Sequence, residues 1–120
     1  MSSRELGTWG EEKAAGFLRR KGYTIVERNY SCRFGEIDLI ARRRDVIAFI
    51  EVKLRKNANF AQAREFVTYG KQQRIIRSAS LWLAAHPTEL QPRFDVIEIY
   101  APEGMDSGKL TIHHLEDAFC

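Results

Sequence analysis

Two short stretches of this chain alternate between apolar and polar residues, and a polar link joins them. The first is Gly35-Glu36-Ile37-Asp38-Leu39-Ile40 and the second Ile47-Ala48-Phe49-Ile50-Glu51-Val52-Lys53. Side chains on a β-strand switch faces at every residue, so a period of two fits strands. Glu36 and Asp38 then share a face with Ile40, opposite Ile37, Leu39 and Ala41. Glu51 and Lys53 share a face with Ile47 and Phe49, opposite Val46, Ala48, Ile50, Val52 and Leu54. The link Arg42-Arg43-Arg44-Asp45 has hairpin length. Pairing the two strands can bring Asp38, Glu51 and Lys53 together on one face. Two carboxylates and an ammonium are costly on an apolar sheet unless they pair with one another or hold a cation.

The remaining pattern frames this hairpin. A helix is predicted from about Arg4 to Lys21, capped by Ser2 or Ser3 and stopped by Gly22. Ala14, Ala15, Phe17 and Leu18 form its apolar stripe, joined by Leu6 and Trp9, while Gly7, Gly10 and Gly16 are expected to loosen its first turns. Tyr23 to Tyr30 reads as a strand. Asn57-Ala58-Asn59 is loop-like, and Ala58 to Val67 fits neither period. From Thr68 to Ala85 the helical spacing returns in Ile75, Ile76, Ala79, Trp82 and Leu83, and His86-Pro87 ends it. Phe94 to Tyr100 is a strand, Ala101 to Gly108 a turn-rich connector, and Lys109 to Leu115 a last, edge strand.

The order is α-β-β-β-α-β-β. Three strands can form an antiparallel meander, and a helical crossover suits a parallel fourth. The expectation is a mixed sheet in an α/β domain with helices on both faces. A chain of 120 residues, 44% hydrophobic, suits one domain over residues 1–120.

Composition narrows the class. The longest apolar run, Val46 to Ile50, is too short to span a membrane, and the N-terminal segment has no signal-peptide core. Cys32 and Cys120 are far apart and lack metal-ligand spacing, so reduced thiols in the cytoplasm are expected. The net charge is only +3, but Arg19-Arg20-Lys21, Arg42-Arg43-Arg44, Lys53-Arg55-Lys56 and Lys71-Arg74-Arg77 concentrate positive charge. Such clusters suit a phosphate backbone, though solvated helix and turn charges read the same way. His113 and His114 alternate and cannot face one metal together. Trp9 and Trp82 fall at core spacings, and Cys32 reads as an inert turn thiol.

Asp38 and Glu51 are hard oxygen ligands suited to Mg²⁺ or Mn²⁺, ions that keep waters and take phosphate oxygens as further ligands. Lys53 points the same way as Glu51 and can reach a water or phosphate held there. The Val52 carbonyl is a candidate additional ligand. Such a set suits phosphodiester hydrolysis. A Glu-x-Lys pair alone is common and usually a salt bridge; an acidic residue on the preceding strand, behind a glycine, strengthens the signal.

These motifs, with Gly10-Glu11, Ala14, Leu18, Gly22-Tyr23, Arg28-Asn29-Tyr30, Arg55 and Lys71-Gln72, resemble the YraN-like family of small bacterial proteins over about residues 7 to 100. That family is similar to the PD-(D/E)xK nuclease superfamily and to archaeal Holliday-junction resolvases. The resemblance implies a restriction-endonuclease-like fold, with Asp38 and Glu51 as metal ligands and Lys53 as catalytic lysine. It implies Glu11 on the first helix as a further metal ligand, with Glu12 its neighbour and competitor. Glu36 would act through water, and Lys71 and Gln72 would face the phosphate. Ile37 stands where the superfamily's Pro would be, a position often substituted.

Arg55, Lys56 and Arg74 are the expected nucleic-acid contacts. The reading is a Mg²⁺- or Mn²⁺-dependent endonuclease acting on DNA, with branched or processed DNA suggested by the resolvase likeness. Junction cleavage would favour a homodimer. The alternative is a non-catalytic nucleic-acid-binding or assembly module on the same fold, whose binding would be salt-sensitive and indifferent to Mg²⁺.

Overall fold

A computed structural model describes residues 3–55 and 67–120. The Lys56 contact, the loop at Asn57-Ala58-Asn59 and all of the ambiguous stretch except Val67 lie outside the described residues. The elements are α1 (Ser3–Arg20), β1 (Thr24–Cys32), β2 (Gly35–Arg43), β3 (Val46–Arg55), α2 (Tyr69–Ala85), β4 (Gln91–Tyr100) and β5 (Thr111–Phe119), with a short 3₁₀ turn at Gly104–Asp106. The α/β order is the one expected. The strands form one five-stranded sheet in the order β1-β2-β3-β4-β5. β1, β2 and β3 pair antiparallel, β4 lies parallel to β3, and β5 returns antiparallel at the edge.

A helix covers each face, because each face carries its own apolar set. Ala14, Ala15 and Leu18 of α1 pack on Leu39, Ala41, Ala48, Ile50, Ile97 and Ile99. Ile75, Ala79 and Trp82 of α2 pack on Ile40, Ile47, Phe49 and Val96. Trp82 is thus a core residue, set edge-on to Phe49, and its indole N–H donates to Glu27 at 2.8 Å. Ile37 departs from the expected alternation by joining the α2-side cluster. It lies beyond Leu39↔Ile50, the last paired position of β2 and β3.

Local expectations change in several places. Trp9 lies outside both buried clusters, partly exposed with Lys13 Nζ 5.8 Å from its ring centre, and β4 starts at Gln91 rather than Phe94. α1 runs unbroken despite its glycines, and Gly10 is buried facing Leu54. β1 continues to Cys32, where the thiol donates to Ser78 Oγ at 3.3 Å. β5 continues past Leu115 because a bulge absorbs Glu116 and Asp117: Val96 pairs with Leu115 and Phe94 with Phe119. Gly22, at φ 93, closes α1 and lets the Tyr23 N–H reach the Leu18 carbonyl at 2.9 Å.

One polar network, away from the carboxylate pair, ties the end of α1 to β4 and β5. Asp95 is fully buried and accepts from Arg93 Nε at 2.9 Å and Nη2 at 2.8 Å, from His114 Nε2 at 2.7 Å, and from the Asp117 N–H in the bulge at 3.0 Å. Lys21 Nζ meets His114 Nδ1 at 2.8 Å and Arg93 donates to the Tyr23 hydroxyl. An ammonium can only donate, so Nδ1 accepts and the Nε2 proton goes to Asp95.

Candidate active site

The site forms where β2 separates from β3. The Leu39↔Ile50 pair leaves Asp38 and Glu51 as the next residues on each strand. Asp38 supplies a side chain in place of a backbone acceptor: the Val52 N–H donates to its Oδ2 at 2.8 Å. An extended residue sends its N–H and C=O to the same edge, so the Val52 carbonyl also projects to the β2 side. Asp38 is 8% exposed and Glu51 6%. Lys53 Nζ lies 3.4 Å from Glu51 Oε1, and Lys71 Nζ, from the first turn of α2, reaches the same oxygen at 2.8 Å.

Other expected residues take distinct places. Glu11 turns toward the pair, within electrostatic reach of Asp38, Glu51 and Glu36, while Glu12 pairs with Arg28 and Arg19 at the surface. Glu36 is exposed and accepts from Ser31 Oγ at 3.5 Å. Gln72 donates to the Val67 carbonyl at 2.9 Å, so its amide secures the entry to α2. Arg74 is exposed and Arg55 half-buried. Gly35, Glu36, Asp38, Glu51, Lys71 and Arg74 line a cavity of about 220 Å³. Gly35 sits at φ 142, a conformation that side chains resist, with its α-carbon side turned toward Arg74.

Two neighbours were not singled out from the sequence. Asn29, at φ 51, falls between the Arg28↔Leu39 and Tyr30↔Ile37 pairs, opposite Asp38, and its side chain bonds Glu11. A polar residue poorly suited to strands, inside the Arg28-Asn29-Tyr30 motif, was the available signal. Glu98 is the register partner of Lys53 on β4 and is fully buried. Tyr100 donates to it at 2.7 Å, and His113 Nδ1 stands 3.9 Å away. Its placement depends on strand order, which no local pattern reveals. His113 and His114 indeed diverge, the first half-exposed beside Glu98 and the second buried against Asp95.

The electrostatics follow from crowding acids away from water. Burial first, then the charge of Glu51, raises the Asp38 carboxyl to about 7, although the Val52 N–H opposes the shift. Burial also raises Glu11, against the Asn29 bond. Burial lowers Lys53, with Glu51 opposing and the like charge of Lys71 adding to the fall. Burial works against the Lys71 ammonium too, but its bond to Glu51 keeps it above the ordinary lysine value.

Among the described residues, no three His, Cys, Asp or Glu side chains form a ready-made coordination sphere. The donor chemistry nevertheless fits a hard divalent cation: two desolvated carboxylates repel each other, and ions such as Mg²⁺ complete their shell with water and phosphate oxygens.

This crowding predicts the pH dependence of the metal-free protein. A carboxyl whose folded pKa exceeds its unfolded value stabilises the fold below the unfolded pKa, and that contribution is gone once pH passes the folded one. For Asp38 the window runs from its ordinary 3.8 to about 7. In the presence of chelator, unfolding free energy should fall across that range by up to about 4 kcal/mol. Asp38→Asn should flatten the slope and exceed the wild type at pH 8. Urea titrations at several pH values check this, and equal slopes in the two proteins would refute it.

The family model described as "Uncharacterised protein family UPF0102" matches residues 10–99, a span holding every described site residue named above except Tyr100, His113 and His114. The chain belongs to the UPF0102 family. Curated UPF0102 proteins align along most of it. One from Caldanaerobacter subterraneus subsp. tengcongensis is 41% identical, covering 99% of this chain and 98% of the relative. Another from Nocardia farcinica is 47% identical over 95% and 88%, and one from Myxococcus xanthus 37% over 97% and 90%. The resemblance drawn from the motifs is to this UPF0102 (YraN) family. No helix among the described residues is long and apolar enough to cross a membrane, as expected.

Proposed function

We propose that this UPF0102 protein is a Mg²⁺- or Mn²⁺-dependent nuclease that hydrolyses phosphodiester bonds in DNA. The observation that supports this reading best is the buried Asp38–Glu51 pair with two lysines converging on one oxygen of Glu51. A structural ion pair needs one cation per carboxylate and no second acid. Here the second acid is oriented by a backbone N–H and faces a cavity.

Asp38, Glu51 and the Val52 carbonyl would hold the ion, with Glu11 beside them. A bound divalent cation would supply charge neutralisation at a phosphoryl oxygen. Lys53, with its pKa lowered by burial, is suited to orient the attacking water and to stabilise negative charge growing on the phosphorus oxygens. Lys71 and Arg74 would hold the flanking phosphates by charge.

The test is calorimetric titration of Mn²⁺ and Mg²⁺, with and without a short DNA, into the wild type and an Asp38→Asn/Glu51→Gln double variant. Binding to the wild type that the double variant loses supports the site. No binding to the wild type, even with DNA present, would overturn it in favour of the binding module.

A further inference from the structure

Gly7 lies in the interior of α1, yet a side chain there would meet nothing within 4 Å. Glycine is the poorest helix former apart from proline. Neither packing nor backbone conformation asks for it here, so its consequence is the space it leaves. That space belongs to a second cavity, of about 460 Å³, lined by Arg4, Gly7, Thr8, Glu11, Asn29 and Glu36. Residues 4, 7, 8 and 11 make one stripe of α1. The cavity adjoins the carboxylate site through Glu36, which lines both.

We propose that this cavity receives the base and sugar of an unpaired nucleotide next to the scissile phosphate. The inference rests on the nuclease reading and names its substrate class. The volume falls within the roughly 300–1,000 Å³ typical of small-molecule sites. Phosphate is a poor occupant, because the carboxylates of Glu11 and Glu36 face it against the single guanidinium of Arg4. A base is a good one: carboxylates accept from exocyclic amines, while Asn and Arg make two-pronged contacts with base edges. A base held in a duplex stack must first be extruded to enter, whereas an unpaired one enters at little cost. Single strands, flaps and bulges are therefore the preferred substrates, and intact duplex the poor one.

The test is fluorescence anisotropy with Ca²⁺ in place of Mg²⁺. The probes are a single strand of roughly 12 nucleotides, its blunt duplex, and an abasic sugar-phosphate strand of equal length. The wild type should bind the single strand about tenfold tighter than either other probe. Gly7→Gln fills the cavity with a better helix former and should melt no lower than the wild type. It should weaken single-strand binding about tenfold and leave duplex binding within about twofold. Equal affinity for normal and abasic strands, or a Gly7→Gln protein that binds the strand as well as wild type, would overturn the proposal. Metal-dependent cleavage with base-independent binding would sink this inference and leave the nuclease reading standing. Base-dependent binding without metal affinity in the calorimetric titration would overturn the nuclease reading and with it the scissile phosphate that this proposal sets beside the base, and no binding to any probe would end both.

Discussion

Lys53→Ala is expected to slow phosphodiester cleavage by about 10²–10³-fold, the usual cost of removing one preorganised donor from a developing oxyanion. The variant should bind Mn²⁺ at least as well as the wild type. Lys53 now stands 3.4 Å from Glu51 Oε1 and competes with any cation for that carboxylate, so its removal leaves Glu51 more available. A loss of rate without a loss of metal affinity separates a group acting on the phosphate from one that builds the site. Single-turnover cleavage of a labelled oligonucleotide in Mn²⁺, paired with calorimetry, reads both quantities. A rate within about threefold of the wild type would remove Lys53 from the mechanism.

Asp95→Ala should damage the fold as much as truncating a core aromatic, although it lies outside the candidate site. The substitution strands Arg93 and His114 without their shared buried acceptor and withdraws the acceptor of the Asp117 N–H in the β5 bulge. Breaking such a pair by removing one partner costs about 3–5 kcal/mol. For a domain of this size that is a fall in Tm of roughly 10–20 °C. Burial works against the Asp95 carboxylate, but the bonds from His114, Arg93 and the Asp117 N–H hold its pKa below the ordinary value. The contribution is therefore fully present above the unfolded pKa of about 4 and is lost as pH falls through the lower folded pKa. Urea unfolding of both proteins at pH 7 and pH 3 should show a large gap that narrows on acidification. A gap under about 1 kcal/mol at pH 7 would show that the network is dispensable.

Period-two alternation made β2 and β3 legible, and with them the nearness of Asp38 and Lys53 to Glu51, but not the break in parity that carries Ile37 to the α2 side. Helical spacing did the same for α2, whose Ile75, Ala79 and Trp82 are buried as read. Strand ends were harder. β5 looked finished at Leu115 because Glu116 and Asp117 break the alternation, and only pairing across the bulge shows that the strand resumes at Phe119. The glycines of α1 looked like weak points, since propensity counts only local cost. Packing of Ala14, Ala15 and Leu18 against the sheet outweighs that cost.

The sequence by itself determined which residues could share a face, because face is a matter of parity along a strand or phase around a helix. It also determined the family, through motifs spread across residues 7 to 100. Tertiary structure alone decided which faces meet. It turned Glu11 rather than Glu12 toward Asp38, brought Lys71 from a helix onto Glu51, and set Asn29 opposite Asp38. It also parted β2 from β3 so that a side chain, and not a carbonyl, receives the Val52 N–H. The physical reason is range: periodicity reports on neighbours a few residues apart, whereas these contacts join segments brought together only when two apolar faces are buried against their helices.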